Sequence, residues 1–185
     1  MAKNKTAKEK SRKAVPSPVH TSVYGVLVLA GTILILLSLI SFAYYESTDN
    51  WVGLVGFSIG WAFHALLGVS SYILVVFLAW LGWRLLLNKT ISYLGAKVLF
   101  TAVLIISASM LLNVIEDPSS FGVSLGKTFY PHLWSHKQRY HLGGAPLYFF
   151  YKDFPTFNLN RIIGISGVVV LFSGTLLSSL FFLFK

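Results

Sequence analysis

The sequence contains no cysteine and few charged residues. Of its 185 residues only 11% are Asp, Glu, Lys or Arg, whereas 55% are hydrophobic and the mean hydropathy is +0.70. Without cysteine, disulfide frameworks, thiolate zinc sites, iron–sulfur clusters and cysteine nucleophiles are all excluded. The low charge excludes an ordinary soluble domain, because soluble folds carry about twice this share and one modest core would leave many apolar residues facing water.

Four long stretches lack charged residues and predict four membrane-spanning helices. A spanning helix needs about 20 mostly apolar residues, and backbone groups in lipid must hydrogen-bond internally, which favours helices. The fold class is therefore expected to be an all-α integral membrane protein. A basic, disordered cytoplasmic tail is predicted at 1–19 and a four-helix membrane domain at 20–185. The predicted spans are 22–45, 61–83, 94–115 and 162–184, with an outer loop at 116–160.

The second stretch, between Asp49 and Arg84, is too long for one upright helix. Its 34 residues would extend roughly 50 Å, against a hydrocarbon slab of about 30 Å. We therefore expect a re-entrant or interfacial lead-in at 50–60 before the span at 61–83. The run Leu142–Phe150 in the outer loop is a candidate second half-helix. Each half of the chain would then contain a span, a lead-in with glycine and aromatic residues, and a second span.

Basic residues are concentrated on one side of the predicted membrane. Ten Lys and Arg residues flank the inner ends of the spans, against five in the outer loop. The positive-inside rule then places both termini in the cytoplasm. A cleaved signal peptide is the alternative for the first span, but its apolar run is about twice the usual length and three more spans follow.

Motifs that carry chemistry are weak in this sequence. The stretch Gly122–Thr128 is one residue short of a phosphate loop and follows no strand. His132, His136 and His141 are spaced i, i+4 and i+9, so the first two could share one helix face as metal ligands of a membrane-embedded enzyme. No nearby Asp, Glu or Cys completes such a site. No span has a central charged residue, which argues against ion-coupled transport. We predict no catalytic, cofactor-binding or metal-binding residue.

Glycine spacing predicts close helix packing. Gly56, Gly60, His64 and Gly68 fall on one i+4 row, and the fourth span carries Gly164, Gly167 and Gly174 with Ser166 and Ser173. Small residues let helix backbones approach where no hydrophobic effect favours association. We expect these rows to pack helices within or between protomers, and a homo-oligomer is the expected state. His64 is expected to hydrogen-bond or contact headgroups rather than relay protons.

These features resemble the N-terminal membrane region of the FtsK/SpoIIIE-type bacterial DNA translocases, over about residues 20–185. In that family an Asn-x-x-Gly-x-x-Gly lead-in begins the second span. The similar segments are Asp49–Gly56, Gly68–Tyr72, Trp80–Arg84, Gly143-Gly144 and Gly164–Gly167. Pro146 is a departure, because the family commonly has Gly in this part of the outer loop.

The resemblance implies a four-span anchor in the bacterial cytoplasmic (inner) membrane at the division septum, in contact with other divisome membrane proteins. In complete family members a linker and a hexameric RecA-like motor follow, and they move DNA during chromosome segregation. This chain ends one residue after its last predicted span. We expect it to be either a fragment or a separately encoded anchor.

The predicted function is a non-catalytic membrane anchor and assembly module of a DNA translocase acting in cell division and chromosome partition. It needs no cofactor, and its partners are the lipid bilayer, further copies of the chain and divisome proteins, without direct nucleic-acid binding. A small transporter or channel subunit is the alternative and requires a polar lining. The residues expected to matter for turn and packing are Asn50, Gly53, Gly56, Gly60, Gly68, Gly143, Gly144, Gly164 and Gly167.

Overall fold

The structure is a computed structural model that describes residues 18–44, 51–89, 91–117, 141–155 and 158–184. The described ranges are helical apart from short connections and contain no β-strand, which confirms the all-α class. Most of the predicted tail and residues 118–140 of the outer loop lie outside them. The helices are α1 (Pro18–Tyr44), α2 (Gly53–Leu67), α3 (Ser71–Leu86), α4 (Leu94–Glu116), α5 (Ala145–Tyr148) and α6 (Leu159–Phe184). A 3₁₀ turn at Gly68–Ser70 joins α2 to α3, and a π-helical turn at Phe149–Asp153 extends α5.

Four helical segments are long and apolar enough to cross a membrane. They are Ser22–Ala43, Gly53–Leu86, Leu94–Glu116 and Leu159–Phe184. Their outward faces are apolar as well, since Val76, Val170 and Phe181 are 69%, 73% and 75% exposed. Helices that are apolar on every face belong in a protein interior or in lipid. The predicted set of four apolar helices is thus confirmed, while the side on which the termini lie stays a prediction.

Helices α1 and α3 form an antiparallel pair held close by small residues. Gly82 of α3 lies against Leu29 of α1, and Gly25 of α1 lies against the backbone of Leu86. At the end of this pair the side-chain amide of Asn88 donates to the hydroxyl of Ser22 at 2.8 Å. The glycines allow backbone approach at both crossings, which is how helices associate in lipid.

Helices α4 and α6 form a second antiparallel pair. The hydroxyls of Ser107 and Thr175 lie 2.8 Å apart across it, and the rings of Phe100 and Phe182 stack with centroids 3.9 Å apart. Towards the other end, α4 and α6 enclose a buried cluster together with the segment after α5. Its fully buried members are Met110, Val114, Tyr151 and Val168.

Helix α3 does not continue α2 in a straight line. Gly60 of α2 lies against Ser38 and Phe42 near the end of α1, and Gly56 lies near the Ser38 hydroxyl, whereas α3 follows α1 back towards its start. The lead-in expected at 50–60 is therefore a helix that crosses α1 and reaches Leu67. The break falls at Gly68–Ser70 instead of at Gly60, because Gly68 is the residue that adopts a positive φ of 58° and meets the other half of the chain.

The last helix is interrupted near its start. Within α6, Gly164 has φ 68° and ψ 169°, a conformation that only glycine adopts readily. The turn Leu159–Ile163 is thereby offset from the long apolar part of the helix. The span predicted at 162–184 begins just before this interruption.

Candidate functional site

The two helix pairs meet at one place, which we call the junction. It consists of the break between α2 and α3 (Leu66–Ser70), the last turns of α4 (Ser109–Asp117) and the segment His141–Asp153. The buried carboxylates Glu116 and Asp117 lie here, together with Gly68 and Gly144, which have positive φ. The junction is therefore the candidate functional site of the described chain.

Backbone meets backbone at the centre of the junction. The amide of Val69 donates to the carbonyl oxygen of Leu142 at 2.8 Å. A Cβ on Gly68 would collide with that same oxygen, and a Cβ on Gly144 would collide with the carbonyl oxygen of Leu66. Both glycines also have positive φ, 58° and 86°. Only residues without a side chain allow this approach in these conformations.

The end of α4 holds the segment from the other side. The amide of Leu142 donates to Glu116 Oε2 at 2.7 Å, and the amide of Gly143 donates to Asn113 Oδ1 at 3.0 Å. Asn113 is fully buried and Glu116 is 9% exposed. A hydrogen bond from an amide to a carboxylate is stronger than one between neutral groups. The side chains of α4 thus replace the water that these amides would otherwise need.

An ion pair lies at the rim of the junction. Lys152 Nζ donates to Asp117 Oδ1 at 2.8 Å, and Asp117 is fully buried while 38% of the Lys152 side chain is exposed. The hydrogen bond to Asp117 raises the pKa of Lys152, although partial burial acts in the opposite direction. The pair neutralises a carboxylate that would be costly to bury alone.

An aromatic stack covers the same rim. The rings of His141 and Tyr148 lie 3.7 Å apart at 10°, and His141 Nδ1 is 3.7 Å from Glu116 Oε2. Burial raises the pKa of the Tyr148 phenol. Of the three histidines weighed as metal ligands, His132 and His136 lie outside the described residues. Among the residues that are described, no three His, Asp or Glu side chains cluster in metal-binding geometry.

The structure brings some of the predicted residues together and separates others. Gly68, Gly143 and Gly144 meet in the junction, while Gly56 and Gly60 face α1 within the same chain. His64 is buried on the same face of α2 and stacks on Phe42. Gly53 and Gly164 have positive φ, and a Cβ on either would meet nothing within 4 Å. Gly167 lies against Ile163 of its own helix. Asn50 falls outside the described ranges.

Sequence reasoning missed the polar end of α4. Glu116 served only to mark where the third span stops, and Asn113 and Asp117 were given no role. Their spacing of i, i+3 and i+4 places all three on one face of an otherwise apolar helix, and that is the signal that was available in the sequence. Their partners, Leu142, Gly143 and Lys152, follow only from the tertiary fold.

The arrangement of the junction is suited to joining elements. In lipid each unsatisfied backbone group costs several kcal/mol, so a helix break is stable only where other groups satisfy it. The hydroxyl of Ser71 donates to the Gly68 carbonyl at 2.7 Å, and the Val69 amide reaches Leu142. The first half of the chain therefore depends on the second half to complete its backbone hydrogen bonds.

Comparison with known proteins supports the resemblance. The chain is 27% identical over 150 residues to the DNA translocase FtsK of Chlamydia trachomatis serovar D. The similar region covers 80% of this chain and 18% of that protein, so the chain corresponds to less than a fifth of its relative. No family model and no solved structure matches. The resemblance to the membrane region of the FtsK-type translocases is confirmed, and the four apolar helices fit it.

Proposed function

We propose that this chain is the membrane anchor and assembly module of a DNA translocase related to FtsK, acting in cell division and chromosome partition. The observation that carries the proposal is the similarity to FtsK, which extends over 80% of the chain. Four helices long and apolar enough to span a membrane are what an anchor requires. The proposed location is the bacterial inner membrane at the division septum.

The mechanism of such an anchor is positional. Two helix pairs that moved independently would hold an attached motor loosely, whereas the junction ties them together through backbone and carboxylate hydrogen bonds. The side-chain oxygens of Asn113, Glu116 and Asp117 accept hydrogen bonds from other parts of the same chain. The junction accordingly serves to stiffen the anchor, and the proposed role includes no chemistry of its own.

Self-association is proposed to use the outer face of α6. Gly56 and Gly60, which the sequence offered for this purpose, are occupied by α1 of the same chain. The outer face of α6 carries an exposed i+4 row of mostly small residues, namely Ser166, Val170, Gly174 and Ser178. Nothing lies within 4 Å of a Cβ placed on Gly174. A second α6 can approach closely along such a row. Divisome membrane proteins are the other proposed partners.

The location of a fluorescent fusion tests the proposal. The full chain carrying a cytoplasmic fluorescent protein is expected to concentrate at division sites in dividing cells. A fusion to an unrelated four-span protein of equal expression serves as the control and should label the whole membrane. Uniform membrane fluorescence of the chain would contradict the anchor function. A specific ion or solute flux in liposomes would favour the transporter or channel alternative instead.

A further inference from the structure

A groove of about 670 Å³ lies between α3, α4 and α6, away from the junction. One face of α3 forms its first wall, α4 its floor and the last turns of α6 its second wall. The lining residues are Ile73, Val76, Phe77, Trp80 and Arg84 of α3, Lys97, Thr101 and Leu104 of α4, and Leu176, Leu180, Leu183 and Phe184 of α6.

The groove is apolar along its length and open at its edge. Val76 and Phe184 are 69% and 88% exposed, so the groove faces the surrounding lipid. Its only lining hydroxyl, that of Thr101, donates to the carbonyl of Lys97 at 2.8 Å and is therefore not available to a ligand. From Ile73 to Arg84 the groove extends roughly 16 Å, at about 1.5 Å per residue. This is about half of the ~30 Å hydrocarbon core, the depth of one leaflet.

Two cations lie over the same ring at one end of the groove. Lys97 Nζ lies 5.0 Å and Arg84 Cζ 5.6 Å from the centre of the Trp80 ring. Two positive charges near one ring give this end of the groove a positive potential. Lys97 also lies in the first turn of α4, where the positive end of the helix dipole adds to that potential.

No carboxylate of the described residues lies within ion-pair distance of these two cations. The acidic residues of the described ranges are Glu116, Asp117 and Asp153, all at the junction. Glu116 is at the opposite end of α4 from Lys97, roughly 28 Å away at about 1.5 Å per residue. An anion at the mouth of the groove must therefore come from outside these residues.

We propose that the groove binds an anionic phospholipid, with one acyl chain along α3 and α6 and the phosphate between Arg84 and Lys97. The ligand must be apolar over the depth of one leaflet and anionic at its end, and such a lipid has both properties. Basic pockets between membrane helices are known to bind anionic headgroups. The proposal depends on insertion of the chain in a membrane and is independent of any link to a translocase.

Lipid retention by the full chain tests the proposal. The protein is purified in detergent with equal amounts of phosphatidylglycerol and phosphatidylcholine, and the lipid bound is measured by native mass spectrometry. Each Lys or Arg near an anionic headgroup raises the binding affinity about fivefold. The selectivity for phosphatidylglycerol should therefore fall roughly 25-fold in the double variant Arg84→Gln/Lys97→Gln. Lys89→Gln is the matched control, because Lys89 is exposed near the same ends of α3 and α4 but does not line the groove. Equal loss in both variants would overturn the proposal.

A second measurement locates the acyl chain. In nanodiscs with brominated phosphatidylglycerol, the Trp80 signal, isolated as the difference from Trp80→Phe, should be quenched more strongly than with brominated phosphatidylcholine. Equal quenching by the two lipids would overturn the proposal. So would disulfide formation between copies of Val76→Cys, since the chain has no other cysteine and a second copy would then occupy the groove.

Discussion

Gly68 and Leu142 meet through their backbones, at the point where the first half of the chain touches the second. The carbonyl oxygen of Leu142 accepts from the amide next to Gly68 and lies where a Cβ of residue 68 would be. The break between α2 and α3 is thus shaped by a residue from the other half.

Gly68→Ala should destabilise the protein by about 2–4 kcal/mol, because it adds a collision to a positive φ that alanine adopts only with strain. The free energy of unfolding in mixed micelles measures the effect. Gly31→Ala is the control. Gly31 lies in the interior of α1, and a Cβ on it meets nothing within 4 Å. Equal stability of the two variants would show that the contact is not needed.

Glu116→Leu should cost about 1–3 kcal/mol, because the buried amide of Leu142 loses its acceptor. Glu116→Gln keeps an oxygen in the same place and should cost less than half as much. Hydrogen exchange at Leu142 reports the contact directly and should accelerate in Glu116→Leu alone. Similar exchange in all three proteins would mean that the carboxylate does not hold this segment.

The Lys152–Asp117 pair should make stability depend on alkaline pH. Because the hydrogen bond raises the pKa of Lys152 above its ordinary value of 10.5, the pair contributes fully below pH 10.5 and is lost as the pH rises through the raised value. Lys152→Met should be less stable by about 1–2 kcal/mol near pH 8, a figure kept low because solvent screens the exposed lysine.

Unfolding curves at about pH 8 to 12 measure this difference. The gap between the wild type and Lys152→Met should narrow above pH 10.5. Lys89→Met controls for the loss of an exposed lysine and should run parallel to the wild type. A gap that stays constant with pH would contradict the assignment.

Cysteine labelling should establish the orientation. The chain lacks cysteine, so Ala145→Cys and Lys89→Cys each introduce a single thiol at an exposed position. With both termini in the cytoplasm, an impermeant maleimide should label Ala145→Cys in intact cells and Lys89→Cys only after permeabilisation. The reverse pattern would overturn the topology predicted from basic residues.

Gly174→Leu should weaken self-association in lipid by roughly tenfold, equivalent to about 1.4 kcal/mol, because the leucine separates two α6 helices. Gly31→Leu is the matched control, since both glycines have open space beside them. Energy transfer between labelled copies in liposomes measures the association. If the two variants associate equally well, α6 is not the contact surface.

The long apolar helices were predictable because charged residues delimit them. The charge-poor stretches from Asp49 to Arg84 and from Lys97 to Glu116 locate α2–α3 and α4 to within about one helical turn, without any knowledge of contacts. The resemblance to the FtsK-type translocases likewise followed from local glycine and aromatic patterns.

The junction was not predictable, because its partners are far apart in the sequence. Gly56, Gly60 and Gly68 look alike on their i+4 row, and only contact with Leu142 makes Gly68 the site of the break. Glu116 marked only the end of a predicted span and Asn113 lay inside that span, because the amides they bind follow a segment of more than twenty residues. Local sequence patterns thus predict the helices, whereas the position of the break between α2 and α3 depends on a long-range backbone contact.

The bond from Val69 to Leu142 also bears on biosynthesis. At about 5–20 residues per second, Leu142 leaves the ribosome roughly 4–15 s after Val69. During that interval the Val69 amide at the α2–α3 break lacks its acceptor, so the segment α1–α3 is in the bilayer with this hydrogen bond not yet formed. A nascent chain arrested before Leu142 should accordingly be more sensitive to membrane proteases than one arrested after Asp153.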